Sequence, residues 1–207
     1  MVKTPALHIV CGPDGGGKTT FAFKRIRTIS GSSRFVNLHE IARGLSPLEP
    51  LAQAERAARV ALGLIRSFIV DFQSFSLETT LAGKTHLRTI AQAKAAGFQV
   101  RLMFFAVATP EECLARVARR VTEGGHDVPQ ADLRRRFDRG LANLPAYSAA
   151  CDFWQVFDAT TPRPHVIGEG AGRKLNFRAT GTAVRPEIDE WLNALPLNPP
   201  LPAAPKS

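Results

Sequence analysis

Long apolar runs are missing from this sequence. No stretch of about 18 apolar residues occurs, so no segment is expected to cross a membrane as a helix. Cysteine is scarce too. Cys11, Cys113 and Cys151 stand far apart and none forms a C-x-x-C pair. That excludes a disulfide framework and a zinc site of the usual spacing. All three are expected to be small buried hydrophobes in a reducing, cytoplasmic setting. Met1 to Ala6 hold one lysine and lead into a short apolar strand, without the apolar core of a signal peptide. Acid is under-represented. Against 27 Lys and Arg stand 18 Asp and Glu, which leaves a net charge of +9 and points to a polyanionic partner or substrate. The arginines are not in one block. They are interleaved with acids and concentrated between Arg116 and Arg139, with no RNA-binding signature and no paired-helix DNA reader, so nucleic acid is the less favoured partner. Internal repeats are absent.

Apolar residues make up 44% of the 207, enough for one sizeable core, and a single domain is expected over residues 1–195. Its most informative stretch is Gly12-Pro13-Asp14-Gly15-Gly16-Gly17-Lys18-Thr19. The spacing G-x-x-x-x-G-K-[ST] after an apolar strand and before a helical pattern is the phosphate-binding loop. Glycines let backbone N–H groups approach phosphates, and the following helix aims its positive end at them. Nucleotide contacts are expected from Gly12, Asp14, Gly15, Gly16, Gly17, Lys18, Thr19 and Thr20. Lys18 reaches the β- and γ-phosphates, and the Thr19 hydroxyl is the metal ligand, for Mg²⁺. Asp14 is expected to point back into a turn.

Strand and helix patterns alternate, which predicts a parallel sheet with helices on both faces. Strands are expected at Leu7–Cys11, Arg34–Asn37, Phe75–Thr80, Val100–Val107 and Trp154–Asp158. An edge hairpin is expected from Pro164–Gly168 and Arg173–Ala179. A long helix opening at Pro47 or Pro50 carries the apolar stripe Leu51, Ala54, Ala58, Ala61, Ile65, Phe68 and Ile69. Gly97 closes the helix from Gly83, and Pro186 to Leu195 forms a short one. Residues 196–207 hold five prolines and are expected to be a tail that packs as neither helix nor sheet.

Ligands of such sheets sit beyond the carboxyl ends of the strands. The second strand places Asn37, His39 and Glu40 there, and the third places Glu78, Thr79 and Thr80. Glu78 suits a carboxylate that holds a metal or orients an acceptor hydroxyl. His39 or Glu40 can take a proton from that hydroxyl. Arg116, Arg119 and Arg120 share one helix, and Arg134, Arg135, Arg136 and Arg139 share the next. The Gly124-Gly125 to Pro129 interruption between them suggests a lid over about 116–140, with two or three arginines on phosphate. Pairs such as Arg116 with Glu112 and Asp132 with Arg136 belong to a solvated face. His126 is expected in a turn or cap.

These blocks together resemble the zeta toxin family, in its short single-domain form. The loop Gly12–Thr20, the run Phe35-Val36-Asn37-Leu38-His39-Glu40-Ile41-Ala42 with Gly44-Leu45-Ser46-Pro47, the run Phe75 to Leu81, and Gly124 to Pro129 followed by Arg134-Arg135-Arg136-Phe137 occur in order over about residues 6–160. The resemblance implies a P-loop kinase fold: an α/β three-layer sandwich with a parallel sheet of about five strands and a helical lid. It implies transfer of the γ-phosphate of ATP or GTP, with Mg²⁺, to the 3′-hydroxyl of UDP-N-acetylglucosamine, and an antitoxin partner. Carried over by position, Lys18 and Thr19 hold phosphates and Mg²⁺, Glu78 serves the acceptor side, and Arg120 with Arg135 or Arg136 clamps the phosphates. The family's second block usually reads Val-Asn-Ala-Asp, with the Asp as base. Here His39 stands in its place. Two other readings stay open: a different hydroxylated acceptor, such as an antibiotic or another sugar, on a scaffold like that of chloramphenicol phosphotransferase; or a nucleotide-binding module with lost catalysis that acts through an antitoxin or nucleic acid.

Overall fold

Seven strands form one sheet in the order β2-β3-β1-β4-β5-β6-β7. The computed structural model describes residues 4–125, 127–179 and 184–198. The strands are β1 (Ala6–Cys11), β2 (Phe35–Val36), β3 (Phe75–Thr79), β4 (Gln99–Ala106), β5 (Phe153–Asp158), β6 (His165–Ala171) and β7 (Lys174–Arg178). The first five pair in parallel, and β6 and β7 add an antiparallel hairpin at one edge. Five parallel strands and the edge hairpin match the expected sheet. The helices are α1 (Lys18–Phe21), α2 (Arg27–Ser30), α3 (Leu38–Leu45), α4 (Ala54–Val70), α5 (Thr85–Ala95), α6 (Pro110–Thr122), α7 (Gln130–Ala150) and α8 (Pro186–Ala194). A π-helical segment, Ala22–Ile26, joins α1 to α2, so they run on as one helix.

Alternate residues of the central strands enter two cores. Leu7, Ile9 and Cys11 pack with Ile65, Ile90, Leu144, Ile188 and Leu192 on one face. Val10, Met103 and Phe105 pack with Ala22, Ile26, Val117, Leu133 and Phe137 on the other. Burial on both faces is why these strands are apolar at almost every position. The three cysteines are free and buried, as expected. Among the described residues, no helix is long and apolar enough to cross a membrane.

Three expectations need correction. No helix is expected from the sequence between the second strand and Gly44, yet α3 forms there, its start set by the Asn37 side chain. Its Oδ1 accepts from the His39 N–H at 2.9 Å and the Glu40 N–H at 3.3 Å, an N-cap. The stripe expected along the long helix holds from Ala61 through Ile65, Phe68 and Ile69, which meet the core, but its start differs: Leu51 is 61% exposed, Ala54 is exposed, and Ala57 is buried. Pro50 opens a 3₁₀ turn, Pro50–Gln53, before the α-helix, and its different residue advance breaks the phase read from Leu51. The beginning of the presumed tail is ordered into the sheet edge. Leu175 N–H donates to Pro196 O at 2.9 Å, and Asn198 N–H donates to Leu175 O at 2.8 Å. Pro196 needs no N–H for this, since it accepts and Asn198 supplies the donor. Residues 199–207 and His126 lie outside the described residues.

One core residue gives a pH prediction. His8 of β1 is 3% exposed, and among the described residues neither ring nitrogen has a hydrogen-bond partner. Burial, reinforced by Arg101, lowers its pKa from 6.5 to about 4. The unfolded chain therefore takes up this proton first as pH falls. Stability should drop by roughly 3 kcal/mol between about pH 7 and pH 4 through this group. Urea unfolding of the native chain and of His8→Leu at both pH values isolates the effect as the difference between their slopes. Equal pH dependence in the two would refute it.

Candidate active site

The loop after β1 is held tightly at its start. Gly12 has φ 137°, and a Cβ there would lie 2.4 Å from the Phe105 carbonyl oxygen of β4, so only glycine fits. Gly12 N–H donates to Thr79 O at 3.3 Å, tying the loop to the end of β3. Lys18 opens α1 and is 5% exposed, its Nζ donating to Pro13 O at 2.7 Å. Thr19 Oγ1 donates to the Glu78 carboxylate at 2.8 Å to Oε2 and 3.0 Å to Oε1. Asn37 Nδ2 donates to Glu78 Oε2 at 3.1 Å. Glu78 thus links the phosphate loop to the start of α3. Burial raises its pKa, Lys18 and the Thr19 bond oppose the rise, and Asp14 and Glu40 add to it.

Asp14 does not turn back on its own loop. It is 5% exposed, and its carboxylate faces two other elements. Arg136 Nη1 of α7 donates to Oδ2 at 3.3 Å, and His39 Nε2 of α3 is 4.0 Å from Oδ1. Burial works to raise the Asp14 pKa, but Lys18, Arg136 and His39 outweigh it and leave the pKa below the ordinary value. The His39 pKa is also lowered, by burial first, with Asp14 pulling it up and Lys18, Arg136 and Arg120 pushing it down. Arg120 lies in the same field: burial lowers its pKa, while Asp14, Glu78 and Asp127 counter this. Lys18, Arg120 and Arg136 therefore surround two carboxylates, a net positive site suited to a polyphosphate.

The other arginines do different work. Arg116 Nη1 donates to Ala159 O at 2.7 Å and to Gly15 O at 3.4 Å, and Nη2 donates to Thr160 O at 2.7 Å. It pins the phosphate loop to the segment after β5. Arg135 pairs with Asp132 at 2.8 Å and is more than half exposed, so of the two neighbours it is Arg136 that faces the phosphate loop. Arg134 bridges α7 to Glu111 of α6 at 2.7 Å. The pairs of Arg116 with Glu112 and Arg136 with Asp132 are present, each at 3.9 Å. The Thr79 and Thr80 hydroxyls accept from the N–H groups of Leu81 and Ala82, closing the turn after β3. Glu40 is exposed at the rim, 3.9 Å from Arg43.

Sequence reasoning missed the residues of α7 that shape this turn. A Cβ on Gly140 would sit 2.4 Å from Thr80 O. Asn143 Nδ2 donates to Leu81 O at 2.8 Å, and Tyr147 Oη donates to Gly83 O at 2.7 Å. Leu81 is held at φ 59°, a conformation costly for a leucine, and is fully buried. About sixty residues separate these partners, and no local pattern marks them. A cleft of about 330 Å³ lies between α7 and α8, lined by Leu141, Pro145, Ile188 and Trp191 among others; no residue of the phosphate loop lines it.

A divalent ion of the Mg²⁺ kind fits this arrangement. The Thr19 hydroxyl and Glu78 carboxylate converge as hard oxygen donors beside Lys18. Among the described residues there is no cluster of three or more His, Cys, Asp or Glu that forms a complete protein cage. Mg²⁺ needs none, since it takes few carboxylates and completes its shell with water and phosphate.

Comparison with known proteins places this geometry. The profile of an AAA domain family (AAA_33) matches residues 7–140. An uncharacterized protein of Haemophilus influenzae is 30% identical over 127 residues, 61% of this chain and 89% of that one. A chain of the AvrRxo1-ORF1:AvrRxo1-ORF2 structure with sulphate ions superposes with a TM-score of 0.70 at 15% identity, over 92% of this chain and 64% of that one. This chain thus spans just under two thirds of that neighbour. The AvrRxo1-ORF1:-ORF2 structure with ATP gives 0.65 at 17% identity, over 83% and 60% of the two chains. A structure from the PezAT chromosomal toxin–antitoxin system of Streptococcus pneumoniae gives 0.62 at 16% identity, over 80% and 72%. At these identities the likeness is one of fold, a P-loop kinase-like three-layer sandwich.

Proposed function

The chain belongs to the AAA domain family, and from that premise we propose that it is a phosphotransferase. It moves the γ-phosphate of ATP or GTP to a hydroxyl of a UDP-activated amino sugar, UDP-N-acetylglucosamine at its 3′-hydroxyl, as the toxin of a toxin–antitoxin pair. The observation that carries the reading is Glu78, which bonds Thr19 on the donor side and Asn37 on the other. A stand-alone nucleotide switch has no use for a second set of polar groups at the ends of β2 and β3. The ATP-containing and toxin–antitoxin neighbours support the donor and the partner, and the sequence resemblance supports the sugar.

Lys18 neutralises charge on the β- and γ-phosphates, and Arg120 and Arg136 do so on the transferred group. Thr19 and Glu78 would hold Mg²⁺, which would supply charge stabilisation to the transferred phosphate. Asn37 orients Glu78, and His39 takes the proton of the acceptor hydroxyl. Gly140 and Asn143 hold the turn that follows Glu78 at the end of β3. The test is release of ADP from Mg-ATP by the purified protein, which UDP-N-acetylglucosamine should accelerate at least about tenfold. No acceleration by any nucleotide sugar would refute the sugar acceptor. His39 in place of a carboxylate favours one second reading, another hydroxylated acceptor, and acceleration by such a compound alone would establish it.

A further inference from the structure

We propose that Asp14 and His39 act as a pair, in which the carboxylate of the phosphate loop positions His39 and stabilises its charged form as it takes the acceptor proton. The inference deepens the phosphotransferase reading and rests on it for the chemical step. A carboxylate among phosphate-binding residues repels its own ligand, so its placement needs a reason. Here Asp14 is almost fully buried, and the contacts it makes reach two other elements, Arg136 of α7 and His39 of α3. Three elements of separate origin meet on one side chain. Position 39 lacks a negative charge, and Asp14 supplies one 4.0 Å from the imidazole.

The step balances as follows. The acceptor O–H bond breaks and its proton passes to the imidazole. The oxygen forms a bond to the γ-phosphorus, the bond from that phosphorus to the β–γ bridging oxygen breaks, and the electron pair leaves on the β-phosphate. Nε2 is the ring nitrogen that faces Asp14, at 4.0 Å, and we assign acceptance of the proton to Nδ1. The imidazolium that forms faces Asp14 from the loop, Lys18 from α1, Arg120 from α6 and Arg136 from α7. Three of those four charges oppose it. Asp14 is the counterweight, the same role a buried Asp plays behind a catalytic His. Arg136 in turn fixes Asp14 through its own bond at 3.3 Å, so the pair is complete only with α7 in place.

The experiment uses the full chain in wild type, Asp14→Asn and Asp14→Asn/His39→Asp forms. The His39 ring is titrated by NMR without substrates, its signal assigned with His39→Gln. Transfer is followed from pH 5 to 9. Asn keeps the shape of Asp14 and a polar partner for Arg136, so the fold is preserved. Asp14→Asn should lower the His39 titration by about one pH unit. It should cut kcat at least about tenfold with KM for ATP within about threefold, and move the acid limb of the rate profile to lower pH. The double variant, which returns a carboxylate to position 39, should recover most of the lost turnover. An unmoved His39 titration overturns the pair whatever the protein phosphorylates. Unchanged kcat in Asp14→Asn overturns its part in catalysis. A displaced titration without transfer to any acceptor supports the pair and overturns only the phosphotransferase reading.

Discussion

Lys18→Ala is expected to lower the turnover of phosphate transfer by roughly 10³-fold while the chain still folds. The size follows from what the ammonium does. It is nearly buried at the start of α1, in the field of Asp14, Glu78 and His39. In a site that excludes water, one such donor aimed at developing charge contributes about 10²–10³ in rate, and a full positive charge lies at the upper end. The structural cost is small. Lys18 Nζ donates to the Pro13 carbonyl, an ordinary hydrogen bond of about 1 kcal/mol. Circular dichroism and thermal unfolding should therefore be close to native while kcat at saturating Mg-ATP collapses. A variant that keeps more than about a tenth of native turnover would remove Lys18 from the transition state. Such a result would leave the loop as a binding element alone.

The largest loss of stability is expected for Trp154→Ala on β5. Trp154 is fully buried, its ring centroid 5.0 Å from that of Trp191 on α8. Its Nε1 donates to Gly172 O at 3.0 Å, and Gly170 of β6 lies so close that any Cβ there would overlap the indole. Truncation empties the joint between β5, the edge hairpin and α8, and leaves the Gly172 carbonyl without its donor. Large aromatic truncations of this kind cost about 3–5 kcal/mol. For a chain of this length that is a fall in Tm of roughly 6–20 °C. Because β1 and β4 separate Trp154 on β5 from Glu78 on β3, kcat measured below the transition should remain near native. A Tm within about 2 °C of the native value would show that the joint repacks, contrary to this account.

Much of the fold was legible because its signals are local. The loop sequence Gly12 to Thr19 names its own backbone geometry, since few residues other than glycine allow it. The apolar run of β4 is continuous because both faces are covered, and alternation with amphipathic helices then requires a parallel sheet. The helix α3 was within reach too: Asn37 at the N-cap with Glu40 three positions on is a known start signal, obscured by the short strand before it. The start of the stripe at Leu51 was not within reach, because the 3₁₀ turn Pro50–Gln53 shifts the phase there without changing composition.

The site divides along the same line. Lys18, Thr19, Glu78, His39 and Arg136 were identifiable as residue types at strand ends and on one helix, where chemistry concentrates in such sheets. Which arginine faces the loop was not identifiable. Arg135 and Arg136 are neighbours in sequence, about 100° apart around α7, and only the packing of that helix turns Arg136 toward Asp14 and Arg135 outward. The direction of Asp14 was misread for a related reason. A side chain in a turn defaults to its own backbone, and the alternative partners on α3 and α7 come from 25 and 122 residues away. The sequence alone determined the class of fold, the phosphate loop and the set of candidate groups, since each depends on spacing within a few residues. Tertiary structure decided the pairs Thr19 with Glu78, Asp14 with His39 and Gly140 with Thr80. Each is a distance between segments that approach only once both faces of the sheet are covered.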